Sequence, residues 1–590
     1  MKRILFFISL FLTLEAVAQT DAESIYLLAW KKYNANNYTE AGELFEKSIK
    51  AGKTWPGVYL NAASSWAMAD NEEKAFENLF KMVDAGYINK SYILDEFPEF
   101  SKYYGNAEWK GLMEKMDNRI TAFYKYAENV SFQKLSKEQM YSDFDTLVKN
   151  IVLYSPHIKV RHHVCGIDYE KQFKGLRKEI ESCDSSERFA MLIYRVLLVC
   201  QDGHTSISRT NPLKLLSDGM PMEECASIGN YQKYFNSVMV MDDNLPELVY
   251  YKGKYYTRTE YQYSNTTVPK KAELISVNGM SPTKYLLTNL DKKGFLSWDF
   301  VNNCFYSESL LQNSIANDTT LRLTFLANKK KQRLDVNLKM GFKSRPTLAN
   351  DNGFVEYWGD SRTLYIRIPK MVNEEFYPKE IARYDKENIE KVIIDIRGNP
   401  GGSDNVWNKT LSSIMCGKTF FKTKYSYNSD LKKSDTTFTP AENFRDLNLV
   451  YKWANRGIGG NKSVLNYKGK IYVLYDELSF SAAGSLVSAC YYSDNLVAVG
   501  VPTGRILGFG TNPYEFRLPN TKIGYRIEPI LDITECNTYK DIFHDKPELD
   551  VNLNLDEIIL LKTNPYTNEF LKNEDPYIKR VKSEELTMPE

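Results

Sequence analysis

The sequence predicts a multidomain protein in which an α-helical repeat domain and a further helical stretch precede a β-rich module and an α/β core. Three patterns indicate this order. A helical pattern recurs at a fixed offset over residues 19–125, alternating apolar residues over 246–345 indicate strands, and short apolar runs alternate with helical patterns over 350–555. A chain of 590 residues has room for roughly three to four domains.

Residues 1–18 have the form of an export signal. Two basic residues precede an apolar run over 4–14, and Ala-Val-Ala at 16–18 supplies the small residues that a signal peptidase requires. A buried N-terminal helix is the alternative interpretation. We expect the mature chain to begin at Gln19 and to be periplasmic or secreted. No later stretch is apolar for about 18 residues, so no membrane span is expected.

Residues 19–125 contain a helical pattern that returns after 34 residues. The paired positions are Ala29 with Ala63, Ala41 with Ala75, Phe45 with Leu79, and Ala51-Gly52 with Ala85-Gly86. A 34-residue helix–turn–helix unit with small residues where helices touch is the tetratricopeptide signature, and such repeats offer a surface to a protein partner. A helical hairpin domain of another kind is the alternative.

Two further segments lie between the repeats and the core. Residues 135–205 have helical spacing and end in the polar turn Asp-Gly-His-Thr at 202–205. Within 246–345, the alternating runs 321–325 and 334–338 flank a lysine-rich turn and predict a hairpin. This β-rich module resembles the second half of a PDZ domain, a fold that takes up peptide tails as an added strand.

Charge and cysteine spacing exclude several classes of function. The chain has 76 basic and 75 acidic side chains, a net charge of +1. It therefore lacks the basic field that holds nucleic acid, and no nucleic-acid partner is expected. The eight cysteines form no CxxC pair and have no zinc-site spacing, so no metal site is predicted.

The predicted core contains two strand–turn–helix units. In the first, a buried strand over 392–396 stops in a loop with three glycines, at 398, 401 and 402, before a helix begins. Glycines allow backbone N–H groups to point at one spot, as the binding of an oxyanion requires. Alone, such a loop is equally consistent with a phosphate-binding turn or a plain tight turn.

In the second unit, Ser481 follows the strand 471–475 at the point where an apolar helix begins. A hydroxyl there lies in the field of the helix N-terminus, which favours developing negative charge. The N–H of Ala482 is available to the same oxyanion. The alternative is that Ser481 or Ser479 only caps the helix.

Together these motifs resemble the core of the C-terminal-processing and tricorn-type serine peptidases. The chain has Asp-Ile-Arg-Gly-Asn-Pro-Gly-Gly at 395–402, Ser-Phe-Ser-Ala-Ala-Gly at 479–484 and Val-Gly-Val-Pro-Thr-Gly at 499–504. The resemblance covers about 135–555 and implies an α/β core of the crotonase-like (ClpP-type) fold. It implies that Ser481 is the nucleophile.

The resemblance also implies the groups that assist Ser481. Backbone N–H groups of Gly401 or Gly402 and of Ala482 are expected to form the oxyanion hole. The family's other requirement is a base, which one branch supplies as a lysine after the Pro-Thr motif. The matching stretch 503–510 has no lysine.

Arg505 lies in that stretch, but arginine stays protonated and does not serve as a base. The other branch of the family uses the histidine of an Asp-Gly-His-Thr motif, which is His204 here. His204 should then lie within about 2.6–3.2 Å of Ser481. Without the resemblance, His204 reads as a capping or surface histidine.

A third group should fix the tautomer of His204, and the sequence does not identify it. The carboxylates considered are Asp532, Glu535 and Asp541, which follow the last core strands, and Asp202, which is adjacent in sequence. The chain is polar after about residue 560, and residues 556–590 are predicted to be a loose tail.

The predicted function is that of an exported serine endopeptidase that cleaves proteins or peptide tails through an acyl-enzyme, without metal or organic cofactor. One departure supports an alternative. Gly484 stands where most members of the family have glutamate. The alternative is an inactive peptidase-fold protein that binds peptides or partner proteins through its repeat and PDZ-like surfaces.

Overall fold

The computed structural model describes residues 21–208, 211–238, 245–312, 320–338, 352–432, 435–460, 463–506, 513–543, 546–564 and 566–585. The predicted export signal over 1–18 lies outside this part of the chain. The chain divides into two compact units, which we describe separately. The first comprises residues up to Leu135 with Ser208–Tyr234 and Thr521–Gly524, and the second comprises Ser136–Ile207, Phe235–Asn520 and Tyr525–Glu590.

The first unit is helical over its N-terminal segment. Its helices there are α1 (21–34), α2 (Tyr38–Lys50), α3 (Pro56–Met68), α4 (Glu72–Asp84), α5 (Lys90–Glu96) and α6 (Ala107–Glu128). Ala41 and Ala75, paired by the 34-residue offset, are both fully buried. Gly52 and Gly86 follow α2 and α4 with φ of 107° and 110°, which ends each helix. The assignment of these helices to tetratricopeptide repeats stays a prediction.

The second unit begins with helices that lead to the Asp-Gly-His-Thr turn. They are α7 (Lys137–Tyr154), α8 (His157–Cys165), α9 (Tyr169–Lys178) and α10 (Ser186–Val199), and the short strand β1 (Ser206–Ile207) follows the turn. Phe189 and Val196 of α10 are fully buried, as their helical spacing predicts. The chain then returns to the first unit in α11 (Pro212–Ser217) and in α12 (Met222–Val238) up to Tyr234.

The β-rich module is built on an antiparallel sheet of order β10-β9-β6-β3-β2. Its elements are β2 (Leu248–Tyr251), β3 (Lys254–Thr257), β4 (Tyr261–Tyr263), β5 (Thr266–Val268), β6 (Glu273–Val277), α13 (Pro282–Thr288), β7 (Ser297–Asp299), β8 (Cys304–Tyr306), β9 (Thr320–Ala327) and β10 (Lys330–Asn337). The predicted hairpin is β9–β10, in which Leu323 pairs with Leu334. The PDZ-like identity of this module stays a prediction.

The core alternates strands and helices as the sequence predicts. Its elements are β11 (Phe354–Trp358), β12 (Thr363–Arg367), α14 (Phe376–Ile381), β13 (Lys391–Asp395), α15 (Asp404–Ile414), β14 (Thr419–Asn428), β15 (Thr439–Pro440), β16 (Leu449–Ile458), β17 (Ile471–Tyr475), α16 (Ala482–Cys490), β18 (Leu496–Gly500), β19 (Tyr514–Arg517), β20 (Gly524–Ile527), β21 (Leu531–Asp532) and β22 (Leu549–Asp550). The crotonase-like classification of this core stays a prediction.

A six-stranded sheet of order β11-β12-β13-β17-β18-β22 organises the core. The strands from β12 to β22 are parallel, so their carboxyl ends meet at one edge of the sheet. Every residue of β13 and β17 is buried. Strands buried on both faces favour continuous apolar runs, which β17 has along its whole length and β13 has over 392–394.

The prediction that residues 556–590 form a loose tail is wrong for most of that segment. Residues in this region form α17 (Leu555–Thr563), α18 (Asn568–Asn573) and α19 (Pro576–Glu585). Leu571, Tyr577 and Val581 are buried against Ile393 and Leu474 of the sheet, so the tail covers one face of the core. Neither these helices nor any other in the described part of the chain is long and apolar enough to cross a membrane.

Candidate active site

Ser481 lies at the carboxyl edge of the sheet, where the loop after β17 meets α16. Its backbone has φ 56° and ψ −123°, a combination that L-residues rarely adopt. Its side chain makes no capping hydrogen bond to the helix. The alternative of a helix cap therefore does not hold for Ser481, which is half-buried and keeps its hydroxyl directed elsewhere.

Ser479, the other serine of the motif, has a structural environment. It is fully buried, and its hydroxyl donates to the carbonyl of Ile396 at 3.0 Å. The same Oγ accepts the N–H of Asp476 at 3.2 Å. These contacts hold the loop that leads to Ser481.

His204 reaches Ser481 from a distant part of the sequence. Its Nε2 lies 3.0 Å from Ser481 Oγ, although 277 residues separate the two. The ring also packs against Phe480, with centroids 4.7 Å apart. The distance falls within the range expected of a general base, while the catalytic roles of the two residues stay predictions.

The turn that presents His204 is shaped by Asp202. Its Oδ1 accepts the N–H of His204 at 2.9 Å and the N–H of Thr205 at 2.5 Å. Gly203 has φ 81°, and a side chain there would meet the ring atoms of Phe480 at 2.8 Å. Asp202 therefore orders the backbone of the turn through these bonds.

The group beside the second nitrogen of His204 is Glu528, which the sequence interpretation missed. Its Oε2 lies 3.0 Å from His204 Nδ1, and its side chain is 1% exposed. Burial raises the pKa of the Glu528 carboxyl, and the neighbouring His204 opposes that rise. A carboxylate at Nδ1 favours the tautomer whose Nε2 lone pair faces Ser481.

The three carboxylates named after the last core strands have other contacts. Asp532 accepts the N–H of Thr534 at 2.8 Å, and Asp541 accepts the N–H of Thr538 at 2.8 Å. Glu535 is exposed. Among the described contacts none of these three candidates reaches His204, and Glu528 lies beside it because β20 pairs with β1, the strand that follows the His204 turn.

One sequence signal points to Glu528. It is a charged residue flanked by Ile527 and by the apolar stretch Pro529–Leu531. An ionisable group in such a setting is expected to be buried with a partner. That signal indicates burial but does not name the partner. The partner depends on the pairing of two short strands.

The glycine turn lies directly against Ser481. A Cβ placed on Gly401 would come within 2.5 Å of the Cβ of Ser481 and 3.0 Å of the N of Ala482. The Gly401 N–H itself donates to Asn399 Oδ1 at 2.8 Å. Within the described residues, no hydrogen-bond acceptor is found for the N–H groups of Gly402 and Ala482, which leaves these two of the predicted donors available to a ligand.

The two departures from the family pattern also have places in the structure. The Arg505 side chain donates from Nε to Ser297 Oγ at 2.9 Å, and its guanidinium stands 4.6 Å from the centre of the Phe295 ring. Residues 507–510 of the same stretch lie outside the described residues. Gly484 is buried in the first turn of α16.

A cavity of about 1880 Å³ adjoins the loops of the site. It is lined by Gly398 of the glycine turn and Leu478 of the serine loop, with aromatic side chains such as Tyr250 and Trp298, but by neither Ser481 nor His204. In the described residues, no group of three or more His, Cys, Asp and Glu side chains is arranged to hold a metal ion.

Comparison with known proteins agrees with this geometry. Residues 362–535 match the model of peptidase family S41. A search of curated proteins finds no significant match to the chain. The region that matches S41 contains the glycine turn, Ser481 and Glu528. This region is therefore similar to the serine peptidases of family S41.

Solved structures to which the chain is similar include mature CPAF, at 13% identity and a TM-score of 0.47, covering 77% of this chain and 99% of that one. The photosystem II D1 C-terminal processing protease has 12% identity and a TM-score of 0.32, with coverage of 74% and 96%. A putative S41 protease from Bacteroides fragilis has 11% identity and a TM-score of 0.29, with coverage of 60% and 86%.

Proposed function

We propose that this chain is an exported endopeptidase that hydrolyses peptide bonds in proteins or peptide tails through an acyl-enzyme on Ser481. The observation that carries the proposal is the alignment of three side chains. His204 stands between Ser481 and Glu528, 3.0 Å from each. Export is part of the proposal and rests on the pattern of residues 1–18; the intact mass of an exported chain should then correspond to a start at Gln19.

The proposed reaction begins with proton transfer from Ser481 Oγ to His204 Nε2 as Oγ attacks the peptide carbonyl carbon. The carbonyl oxygen becomes an oxyanion, which in this proposal the N–H groups of Gly402 and Ala482 bind. The buried Glu528 carboxylate stabilises the imidazolium that forms. His204 then protonates the departing amine, and the C–N bond breaks.

A water molecule completes the cycle. His204 removes its proton, the hydroxide equivalent attacks the acyl carbon, and the C–O bond to Ser481 breaks as Oγ takes the proton back. An inactive peptide-binding protein would not require a base within hydrogen-bonding distance of a strained serine. Maintaining that backbone conformation costs roughly 1–3 kcal/mol, which favours the active enzyme over the inactive alternative.

The test is covalent labelling of the purified mature chain with a fluorophosphonate probe, followed by mass spectrometry of the peptides. We expect one adduct, on Ser481, and no adduct in Ser481→Ala. His204→Ala should slow labelling by about 10³-fold or more, because the serine then lacks its base.

His163→Ala is the matched control, since His163 stacks on Tyr539 and does not contact Ser481. It should label at the wild-type rate. A folded wild-type chain that takes no label would contradict the proposal and support the inactive peptide-binding protein. An adduct on a serine other than Ser481 would also contradict it.

A further inference from the structure

The glycine turn and the serine loop are joined by one side chain, that of Asp476. This residue follows β17 and is 9% exposed. Its Oδ1 accepts the N–H of Gly398 in the glycine turn at 2.8 Å. The same oxygen accepts the N–H of Leu478 at 3.1 Å, and it lies 3.3 Å from the hydroxyl of Ser479, which donates to the Ile396 carbonyl.

These bonds matter because each loop carries one available oxyanion donor. Gly402 is the last glycine of the glycine turn and Ala482 follows the serine loop, so the two N–H groups converge only if the loops keep a fixed separation. An error of a few tenths of an ångström in such a pair weakens oxyanion stabilisation. A backbone bond from Phe480 N–H to the Asn399 carbonyl, 3.0 Å long, also links the loops.

We propose that Asp476 is a positioning residue for the peptidase reaction, whose Oδ1 ties the glycine turn to the serine loop and thereby sets the spacing of the oxyanion donors. The inference rests on the proposed function, since it concerns the rate at which Ser481 reacts. It adds a residue that lies five positions before Ser481 and touches neither Ser481 nor His204 in the described contacts.

The surroundings of Asp476 indicate which property of the carboxyl group matters. Burial and the neighbouring Glu477 raise the pKa of Asp476, whereas Lys562 lowers it. Lys562 Nζ is already bound to Glu477 at 2.6 Å and to Glu308 at 3.1 Å. Because an amide carbonyl oxygen accepts the same two N–H bonds without a charge, the position of Oδ1 should matter more than the charge.

The experiment compares the second-order rate of fluorophosphonate labelling at Ser481 in the full mature chain and four variants. Asp476→Ala removes the acceptor and should slow labelling by about 10–100-fold. Asp476→Asn keeps an oxygen at the same place and should stay within about threefold of the wild type. Asp476→Glu keeps the charge but moves the oxygen by one methylene, and should label more slowly than Asp476→Asn.

Asp532→Ala is the matched control. Asp532 is another buried aspartate, and it accepts the N–H of the residue two positions on, Thr534, at 2.8 Å. Its loss should lower the unfolding midpoint much as Asp476→Ala does, yet leave the labelling rate unchanged. Comparable slowing in both alanine variants would overturn the inference, because it would indicate a general loss of stability.

The remaining outcomes are also decisive. Labelling of Asp476→Ala within twofold of the wild type overturns the inference while the proposed function stands. If Asp476→Ala does not fold, the order of the asparagine and glutamate variants decides, and a glutamate variant that is as fast as the asparagine variant overturns it. A wild-type chain without label overturns the proposed function and the inference together.

Discussion

The core contains two strand–turn–helix units that begin alike and end differently. Strands β13 and β17 are adjacent and parallel, with Ile394 opposite Val473, so both turns lie at the same edge. The first turn changes direction at glycines, among them Gly401 at φ 106°. The second does so at Ser481, at φ 56°, where a Cβ makes the conformation costly.

The difference teaches how the two halves of the site are maintained. In the proposed function the oxyanion donors are backbone groups, so the first turn uses residues for which the conformation carries little strain. A nucleophile needs a side chain, so the second turn must hold a strained residue by means of its surroundings. The hydroxyl of Ser481 lies beside His204, which is 277 residues away in sequence. The glycine turn is instead held by hydrogen bonds within itself and to the serine loop.

The largest expected effect tests the dependence of the serine turn on remote groups. Glu528→Gln should slow labelling of Ser481 by about 10³-fold or more, because an amide can donate to Nδ1 and so favour the tautomer that cannot accept the serine proton. The rate of fluorophosphonate labelling measures this effect.

Glu535→Gln is the control for that change. Glu535 was considered for the same role, but it is exposed. The labelling rate of Glu535→Gln should therefore stay within about twofold of the wild type. Retention of more than a tenth of the wild-type rate by Glu528→Gln would show that the serine turn does not depend on this carboxylate.

The next effect tests the glycine turn itself. In Gly401→Ala the added Cβ would lie 2.5 Å from the Cβ of Ser481 and 2.8 Å from the carbonyl oxygen of Phe480. The two turns would have to separate, and we expect labelling to slow by about 10²–10³-fold, as when an oxyanion donor is lost.

Gly398→Ala is the matched change in the same turn. Gly398 also has positive φ, at 73°, but its Cβ would meet nothing within 4 Å. It should lower stability by about 1 kcal/mol and label at least ten times faster than Gly401→Ala. Equal slowing in the two variants would mean that strain in the turn, and not its contact with Ser481, sets the rate.

The comparison also explains what the sequence could predict. Strand β17 was predicted at its observed bounds, Ile471–Tyr475, because a short apolar run between turn signals is a local property. The distance from His204 to Ser481 agrees with the expectation drawn from two family motifs. Both motifs are contiguous in sequence, so a family resemblance could find them.

What the sequence did not predict depends on contacts between remote segments. Glu528 is adjacent to His204 only because β20 pairs with β1, and two-residue pairings leave almost no periodic signal. The C-terminal helices were missed because Phe570-Leu571 and Tyr577-Ile578 are short apolar pairs in a charged segment. Their burial becomes evident only once the face of the sheet that they cover is known.

The smallest expected effect concerns the strain at Ser481. Ser481→Gly removes the Cβ from its unfavourable conformation, so it should be more stable than Ser481→Ala by about 1 kcal/mol, although neither variant can be labelled. The shift in denaturant midpoint of the core measures the difference.

Ser485 is the control position, four residues further along the chain and buried within α16. At that position the Ser485→Ala variant should be more stable than Ser485→Gly by about 1 kcal/mol, because glycine is unfavourable inside a helix. If the alanine variant were the more stable one at both positions, the backbone of Ser481 would not be strained. The proposed difference in strain between the two turns would then be wrong.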